Sequence, residues 1–536
     1  MHAKRVIYLF TFFTLPLSAQ TDSLLLRNYQ SVKQQDAWLT SPNAAALTRF
    51  TAPNIALAEA SLTKGKGGLT DYYESPNTLE ADVAAESFYR LGARTVVFGS
   101  ISYNNYTGED MTGSAFINPT RKPFSITEDS LTNAGRKHRD TYHLAGAVGV
   151  DVWRGYAVGL RLDYTAANYA KYKDLRHKNK LMDLTVSASA YAPVLPWLSV
   201  GADYRYHRQT ESLQFSTYGK NDKVYKSLLD YGAFLGRVEQ FGNEGFTDKS
   251  REMPLFEDSH GGGVQIGLRP LPQLTALATA ALAHGEGYYG RRSPYTITYT
   301  QHDRDQTMLT LALTYQPLSR TSRVRLDLSY ADEKLQNRAE TFRELTNESG
   351  ANYYEYYDPT ETADKHWYDF AMSATADLGI HGQQPTWQFQ AAYQRTERDQ
   401  KAYLYPFYRT QHLTTHEVSA SATRHLLWRR GILSVSLNGA FRQGHGAPYQ
   451  DFAFVEPSER QESPAVMEAF LYREYQYLTA PQYTLGGSVQ YAFLLPGTRL
   501  KTHARLQLAH RHANNSNEYS TGSNRTQATL TLGCTF

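Results

Sequence analysis

Apolar and polar side chains alternate along most of this chain. The last nine residues, Ala528–Phe536, place an apolar side chain at every second position and small or polar residues between them. Successive side chains of a β-strand point to opposite faces, so this pattern predicts a strand with one apolar and one polar face. The clearest further examples are 144–152, 156–164, 184–190, 198–206, 309–315, 324–330, 387–393, 433–441 and 485–493. No helical period separates them, so we predict an all-β protein.

The connections between these strands alternate in length. Eight short turns are predicted at Leu91–Ala93, Trp153–Gly155, Leu195–Trp197, Pro270–Pro272, Pro317–Ser322, His381–Pro385, Trp428–Gly431 and Pro496–Gly497. The long connections span roughly 107–140, 210–259, 334–365 and 444–476. Outer-membrane barrels have short periplasmic turns and long extracellular loops. The pattern therefore predicts a transmembrane antiparallel β-barrel of about 18 strands, with 16 as the alternative, whose two ends of chain lie in the periplasm.

The beginning of the chain has a different composition. A basic start is followed by an apolar run, Val6–Leu17, and by the small residues before Gln20, which together predict a signal peptide over residues 1–19. Residues 20–53 are then expected to form a short periplasmic segment or a plug, and residues 54–536 the barrel.

One stretch of that segment resembles part of a known family. Asn43–Leu47, with the sequence Asn-Ala-Ala-Ala-Leu, loosely resembles the Asn-Pro-Ala segment near the start of the long-chain fatty-acid transporter family. That resemblance implies a plug inside the barrel. The alternative is an N-terminal tail packed in the barrel mouth.

Composition and charge narrow the class of protein. The 536 residues have a mean hydropathy of −0.53, and no apolar stretch beyond the first residues approaches the roughly 20 residues of a membrane helix. The 40 tyrosines suit the aromatic girdles of a barrel. A net charge of +3 gives no reason to expect a nucleic-acid partner. The single cysteine, Cys534, is interpreted as a small apolar side chain.

Charged residues fall on the face of the strands opposite the apolar one, which is the face toward the lumen. The principal lumen-facing candidates are Arg161, Asp163, Asp203, Arg205, Arg325, Asp327 and Arg505. Because both signs occur together, we expect these charges to pair across neighbouring strands rather than to create a field of one sign. This favours a lumen braced by salt bridges and partly filled by loops. The alternative is a selective channel.

The chain carries none of the common enzyme motifs that we sought. His-Glu-x-x-His and Gly-x-Ser-x-Gly are absent, and a pair of cysteines is impossible. His503 is predicted to face away from His510 and His512, so one straight strand cannot gather all three around a metal. We therefore predict a protein that is not an enzyme and that has no catalytic residues, no metal site and no cofactor.

Tyrosine is concentrated in two predicted outer loops. The contact candidates are Tyr72, Tyr73, Tyr353, Tyr354, Tyr356 and Tyr357. Tyrosine offers a large rigid surface with a polar tip, which suits contact with a partner or a ligand. Packing of the loops on themselves is the first alternative, and ligation of ferric iron or haem is the second.

The aromatic residue at position 536 resembles the signal by which Gram-negative bacteria recognise outer-membrane barrels. The chain as a whole resembles uncharacterised Gram-negative outer-membrane β-barrel proteins, of the kind that accompany TonB-dependent uptake systems. This resemblance implies an outer-membrane location, contact with membrane lipid and lipopolysaccharide, and insertion by the barrel-assembly machinery through Phe536. Other outer-membrane proteins or surface lipoproteins are further candidate partners. A TonB-dependent receptor itself is not expected, because only about 34 residues precede the first strand, too few for that family's plug.

The function expected from these features is non-enzymatic: transport, or an accessory role in a cell-surface uptake complex. Two alternatives remain open at this point. The first is a diffusion channel or a transporter of hydrophobic compounds. The second is a barrel hydrolase that acts on lipid or peptide.

Overall fold

The computed structural model describes residues 23–128, 133–218, 223–242, 249, 252–293, 295–458, 461, 464, 467–514 and 519–536. The predicted signal peptide, residues 1–19, lies outside the described residues. No helix in the described part of the chain is long and apolar enough to cross a membrane.

Strands dominate the described chain. In order along the sequence, the strands are β1 (Ile55–Lys66), β2 (Asn77–Arg90), β3 (Thr95–Met111), β4 (Ser125–Glu128), β5 (Gly135–Trp153), β6 (Tyr156–Lys171), β7 (Arg176–Leu195), β8 (Leu198–Ser216), β9 (Lys226–Gly232), β10 (Leu235–Gln240), β11 (Met253–Leu271), β12 (Leu274–Ser293), β13 (Thr296–Tyr315), β14 (Ser322–Ala339), β15 (Phe342–Thr346), β16 (Asn352–Tyr356), β17 (Thr360–Leu378), β18 (Trp387–Leu404), β19 (Phe407–Trp428), β20 (Gly431–Gly446), β21 (Gln450–Ala453), β22 (Gln482–Leu494), β23 (Lys501–Ala513) and β24 (Asn524–Thr535). The helices are α1 (Tyr29–Lys33), two 3-10 helices (Ala37–Thr40 and Ala44–Arg49) and α2 (Glu468–Thr479).

Eighteen of these strands close into one antiparallel barrel. The six strands outside the barrel wall are β4, β9, β10, β15, β16 and β21. Closure is made by β1 and β24, which pair from Leu57 opposite Thr535 to Lys66 opposite Thr526. A closed barrel leaves no strand edge unpaired, which is the condition for a sheet to cross a membrane. The predicted barrel of about 18 strands is confirmed, and the alternative count of 16 is wrong.

The outward face explains why this barrel needs a membrane. Large apolar side chains remain exposed around it, for example Val83 (57%), Leu160 (59%), Leu282 (65%) and Leu485 (72%). A continuous apolar belt of this kind is unfavourable in water and favourable in lipid. The protein is an outer-membrane β-barrel.

The short turns stand where the alternation pattern predicts them. The turn between β5 and β6 shows how the sequence dictates one of them: Arg154 has φ of 47° and Gly155 has φ of 89°. Two central residues with positive φ match the right-handed twist of the flanking strands. The Asp151 carboxylate also accepts a hydrogen bond from the backbone N–H of Gly155 at 3.1 Å. The end of the barrel that carries these turns is the periplasmic end.

Phe536 follows the last strand at that periplasmic end. Its backbone N–H donates to the Ala56 carbonyl at 3.0 Å and its carbonyl accepts from the Ala56 N–H at 2.8 Å, while its side chain is 49% exposed. We predict that Phe536→Asp lowers outer-membrane insertion several-fold, because an aspartate removes both the apolar girdle position and the proposed assembly signal. Heat-modifiable gel mobility of outer-membrane fractions measures this. Normal membrane levels of the variant would contradict the prediction.

Candidate functional site

The periplasmic end of the lumen is occupied by residues 23–53, called the N-terminal segment below. Its three short helices each begin at an Asn or Asp whose side chain accepts a backbone hydrogen bond: Asn28 from Ser31, Asp36 from Trp38 and Asn43 from Ala46. Helices of four to six residues are not stable alone in water. The segment is therefore held by its contacts with the barrel wall.

Four strand glycines make room for the segment. A Cβ atom added at Gly159 would lie 2.2 Å from the backbone nitrogen of Ala45, and one at Gly149 would lie 2.6 Å from the carbonyl oxygen of Ala44. Cβ atoms at Gly201 and Gly267 would each come within 2.6 Å of the segment, at Asn43 and Trp38. No side chain fits in these gaps. The segment thus packs directly on the backbone of β5, β6, β8 and β11.

Polar contacts fix the position of the segment on this surface. The Asn43 amide donates to the Ala190 carbonyl at 2.8 Å and to the Gln265 side-chain oxygen at 2.9 Å. The Ala45 N–H donates to the Ser189 hydroxyl at 3.0 Å. Because Asn43 is 1% exposed, these bonds satisfy a buried amide that would otherwise cost free energy.

Further bonds tie the segment to strands around the rest of the barrel. Lys501 of β23 donates to the Arg27 carbonyl at 2.7 Å, Lys33 pairs with Glu86 of β2 at 2.6 Å, and Arg323 of β14 reaches the Ser31 hydroxyl at 3.4 Å. The segment therefore crosses the mouth from one wall to the other. A cavity of about 670 Å³ remains beside it.

The outer end of the lumen is occupied by a second structure, called the outer cap below: β4, β9, β10 and α2. β9 lies between β4 and β10 in a three-stranded sheet. Apolar side chains of this sheet share one cluster with lumen-facing residues of the wall. The cluster includes Ile126, Leu229 and Leu235 from the sheet, Phe124 just before β4, and Leu213, Leu255, Tyr289, Ala363 and Ala402 from the wall. Long outer loops thus fold into the barrel.

Helix α2 joins the cap through a second apolar cluster. Tyr72 lies at its centre, with its ring 5.0 Å from that of Phe234 and 6.0 Å from that of Phe470. Tyr72 is only 4% exposed, and Tyr73 packs edge-on against it at 5.1 Å. The contact role considered for this pair is therefore corrected for Tyr72: its ring is used by the protein's own packing, because the first outer loop turns inward.

Two basic side chains, Arg121 and Lys122, connect the cap to the wall and are called the strap below. The Arg121 guanidinium pairs with Glu333 at 2.8 Å and Asp369 at 2.5 Å. Lys122 pairs with Glu211 at 3.2 Å, and Glu211 is 1% exposed. The Lys122–Glu211 pair is buried on both sides, and a buried pair contributes little net stability while intact, but losing one partner is costly.

The predicted lumen charges do form ion pairs. Arg161 lies 2.9 Å from Asp163, Arg205 lies 2.8 Å from Asp203, and Arg325 lies 2.7 Å from Asp327. The sequence suggested pairing across neighbouring strands. Each of these three pairs instead joins residues two apart on one strand, because side chains at that spacing share a face.

Pairs between strands also occur along the lumen wall. His143 of β5 lies 2.7 Å from Asp163 of β6, and Arg505 of β23 lies 3.9 Å from Glu59 of β1. Acidic and basic groups therefore offset one another around the wall.

One buried carboxyl in the cap makes it sensitive to pH. Burial is the main cause that raises the pKa of Asp230, from 3.8 to about 6; nearby Glu474 raises it further and Lys365 opposes the shift. The folded cap binds the proton more tightly than the unfolded chain does. The cap therefore gains stability as pH falls from about 6 toward 3.8, and loses it as pH rises through 6.

We predict that amide protection factors in β9 and β10 rise about ten-fold between pH 7.5 and pH 5, the size expected from this pKa shift. Hydrogen–deuterium exchange, corrected for intrinsic rates, measures this. Asp230→Asn has no proton to gain, so its protection should not change in the same window. An equal rise in both proteins would contradict the assignment to Asp230.

A row of serine, histidine and aspartate crosses three strands of the wall. The Ser259 hydroxyl lies 3.4 Å from Nδ1 of His207, and Nε2 of His207 lies 3.0 Å from Asp183. This set could not be predicted from the sequence, since its members come from β11, β8 and β7. An acyl-transfer site also needs donors aimed at an oxyanion. Ser259 stands in the middle of a continuous ladder, opposite His207 and Gly285. Its backbone is thus committed to strand pairing, and the row is interpreted as a hydrogen-bonded part of the wall.

The other tyrosine candidates lie on the β15–β16 hairpin and the residue after it. The Tyr356 hydroxyl accepts from the Thr298 N–H at 2.8 Å, and the Tyr354 ring packs against Phe342 at 5.6 Å. Tyr353 is half-buried, whereas Tyr357 is 49% exposed. The hairpin therefore uses some of its tyrosines to fix itself to β13 and presents Tyr357 to solvent.

Possible metal ligands come together at one place in the described residues. Glu397, Asp399 and His412 offer ligand atoms within 4.8 Å of one another. Nδ1 of His412 contacts the Asp399 carboxylate, so an ion pair already accounts for their proximity. His503, in contrast, faces the lumen and lies 2.9 Å from Glu59. These contacts give no reason to assign a metal.

Comparison with known proteins places the chain in a family. One family model matches residues 44–536, which include every strand of the barrel and the end of the N-terminal segment. The chain belongs to DUF6850, a family of unknown function. The expectation of an uncharacterised Gram-negative outer-membrane barrel protein is thereby confirmed. No curated protein matches the sequence.

Solved barrels resemble the chain at low identity. BauA, the ferric preacinetobactin receptor from Acinetobacter baumannii, is 8% identical over 90% of this chain and 80% of its own, with a TM-score of 0.37. FpvA of P. aeruginosa is 10% identical over 89% and 71%, with a TM-score of 0.41. The toluene transporter TbuX of Ralstonia pickettii is 10% identical over 92% of both chains, with a TM-score of 0.30. Likeness at this level carries no information about function.

Proposed function

We propose that this DUF6850 protein is a non-enzymatic transport barrel whose passage is closed at rest by two parts of its own chain. The N-terminal segment acts as a plug at the periplasmic end, and the outer cap acts as the second seal. The observation that carries the proposal is the fit of the segment on Gly149, Gly159, Gly201 and Gly267. These glycines form a surface on the wall that accepts the segment. Such a surface is expected if the segment binds there in the closed state and detaches when the passage opens.

The lumen between the two seals supports a passage. Gln390 and Gln394 of β18 and Gln507 of β23 point inward and are nevertheless exposed to solvent. A packed lumen would bury them. An 18-stranded barrel is wide enough to hold an aqueous passage once its fillings move.

The same wall argues against the alternatives. A transporter of hydrophobic compounds needs an apolar track, whereas the wall around Gln390, Gln394 and Gln507 is polar. An open diffusion channel does not accord with a segment across one mouth and a cap in the other. A hydrolase would need preorganised oxyanion donors, and the backbone of Ser259 is already used in strand pairing.

Planar-bilayer conductance tests the proposal, because two seals in series must both open before current flows. Wild type, Gly159→Val (plug unseated) and Arg121→Glu/Lys122→Glu (strap broken) should each be quiet. The combined variant should carry steady current. Large steady currents through wild type would overturn closure at rest, and a quiet but correctly folded combined variant would overturn transport.

Attachment to a larger uptake complex is the second candidate, favoured by the exposed tip of the β15–β16 hairpin. If the hairpin docks a partner, replacing Tyr353, Tyr354, Tyr356 and Tyr357 with Ala should weaken co-purification about 30-fold, since anchoring tyrosines commonly cost about 2 kcal/mol or more. A mild-detergent pull-down beside wild type measures this.

A matched variant separates docking from loop stability in that pull-down. Phe342→Ala removes the ring that packs against Tyr354 and Tyr356 within the hairpin and leaves the four tyrosines in place. Identical partner lists from wild type and the four-tyrosine variant, both folded, would overturn docking.

A further inference from the structure

The lumen wall carries an uninterrupted row of uncharged polar side chains across seven neighbouring strands. Each member stands opposite the next in the strand register, and the row is Gln388, Thr423, Ser436, Ser488, Gln507, Thr529 and Thr63. All seven are half-buried or exposed rather than buried. This set is called the polar ladder below.

The polar ladder is long and oblique. Six strand spacings of about 4.8 Å give it a length of about 29 Å. Gln388 is the second residue of β18, at the periplasmic end, whereas Thr63 lies in the second half of β1, toward the outer end. Barrel strands tilt, so a row that crosses them climbs the wall.

The lower end of the ladder meets the N-terminal segment. The Gln388 amide donates to Asp377 at 2.9 Å, Asp377 pairs with Arg323 at 2.6 Å, and Arg323 reaches the Ser31 hydroxyl of the segment. The ladder therefore connects the middle of the lumen with the plug.

The chemistry of the ladder is that of a surface for hydroxyl groups. Serine and threonine hydroxyls and glutamine amides both donate and accept hydrogen bonds, as the hydroxyl groups of a sugar do. Two ladder contacts are already made, Thr423 with Ser436 at 2.8 Å and Thr63 with Thr529 at 2.9 Å. Ser488 and Gln507, between these pairs, have no hydrogen-bond partner among the described side chains.

The rest of the wall adds no strong field of one sign. On β6, β8 and β14, Arg161, Arg205 and Arg325 are each paired with an aspartate two residues away. Arg505, two residues from Gln507, lies 3.9 Å from Glu59. An ionic solute would therefore find neither a countercharge on the ladder nor a free one in these pairs. An uncharged solute avoids the cost of losing its hydration without an opposite charge.

We propose that the polar ladder binds an uncharged, polyhydroxylated solute of the oligosaccharide class and leads it toward the plug. This inference rests on the proposed transport function and names its substrate class. The length of the ladder fits several linked sugar rings rather than a single one. Ser488 and Gln507, as the unpartnered pair at its centre, are the main contacts.

Binding is measured with maltohexaose, a neutral oligosaccharide, and with hexagalacturonate, an anionic one of similar length. Saturation-transfer NMR on the full-length protein in detergent, in the combined variant that opens both seals, gives the two affinities. Maltohexaose should bind at least ten-fold more tightly. Ser488→Ala/Gln507→Ala should weaken maltohexaose binding about ten-fold, the loss expected for two hydrogen bonds of about 0.7 kcal/mol each.

A matched control places the same two changes off the lumen. Gln443→Ala/Ser319→Ala removes one amide and one hydroxyl that are exposed outside it, on the outward face of β20 and in a periplasmic turn. This control should bind maltohexaose like its parent. Equal binding by the ladder variant, or preference for hexagalacturonate, would overturn the inference.

The outcomes also separate this inference from the proposed function. Maltohexaose binding to a variant that stays electrically quiet would retain the ladder and overturn transport. Steady current with no maltohexaose binding would retain transport and overturn the ladder. Transient current blockades by maltohexaose, lost in the Ser488→Ala/Gln507→Ala variant, would support both.

Discussion

Replacing Gly159 with valine will drive the N-terminal segment out of the barrel mouth and leave the barrel folded. Even a Cβ atom at this position would lie 2.2 Å from the backbone nitrogen of Ala45, and neither backbone can move far. Overpacking of a fixed contact costs about 1–3 kcal/mol or more, and the segment's short helices have little stability of their own. We expect the detached fraction to rise on the order of 100-fold.

Limited trypsin digestion measures that detachment. Lys33 and Arg49 lie within the segment. Lys33 pairs with Glu86 of the wall, and Arg49 pairs with Asp36 of the segment and donates a hydrogen bond to Tyr191 of the wall. Cleavage after both should be slow in wild type and fast in Gly159→Val.

Gly146→Val is the matched control for the same substitution. Gly146 lies in β5, beside Gly159's strand, and a Cβ atom added there meets nothing within 4 Å. Its digestion pattern should match wild type. If Gly159→Val also digests like wild type, the segment is not seated as described and the plug proposal fails.

The barrel itself could be predicted from the sequence because its signal is local and repeated. Residues two positions apart in a strand lie on the same face. Leu160 and Leu162 therefore predict a lipid-facing strand from the local sequence, whatever the neighbouring strands are. The turns are equally local: Arg154 and Gly155 specify their own geometry. Such signals predict about 18 strands, with 16 as the alternative.

The contents of the lumen could not be predicted in this way, because they depend on residues that are distant in the chain. Gly149 and Gly159 look like any strand glycines until Ala44 and Ala45 are found against them. The sequence around Tyr72 is that of a surface loop, and only the fold shows that Phe234 and Phe470 pack against its ring. Nothing in the local pattern distinguishes a loop that enters the barrel from one that leaves it.

The polar ladder is a third case. The direction of each side chain can be predicted from the sequence, but the alignment of the residues across strands cannot. Gln507 and Thr529 each stand between two apolar residues, and Thr63 follows Leu62, so their inward direction is predictable. Their alignment across strands depends on the register of each pair and on the closure of β24 with β1. Register also depends on packing between strands that are distant in the chain, which the local pattern does not show.

Reversing the charges of the strap will release the outer cap from the wall. In Arg121→Glu/Lys122→Glu, new carboxylates stand where Arg121 meets Glu333 and Asp369 and where Lys122 meets Glu211. Glu333 and Glu211 are 6% and 1% exposed, so solvent screens this repulsion poorly. Removing the partner of a buried charge commonly costs about 3–5 kcal/mol, and we expect a loss of this order in the stability of the cap.

Hydrogen–deuterium exchange in β4, β9 and β10 measures the release, and exchange there should accelerate by at least 100-fold while the barrel strands keep their protection. Arg136→Glu/Lys180→Glu is the matched control. Arg136 pairs with Glu109 and Lys180 with Glu252, but the Arg136 and Lys180 side chains are 56% and 74% exposed. Exposed pairs are worth about 0–1 kcal/mol, so the control should exchange like wild type. Unchanged exchange in the strap variant would show that apolar packing alone holds the cap, and the second seal would then have to open by a route that does not involve these charges.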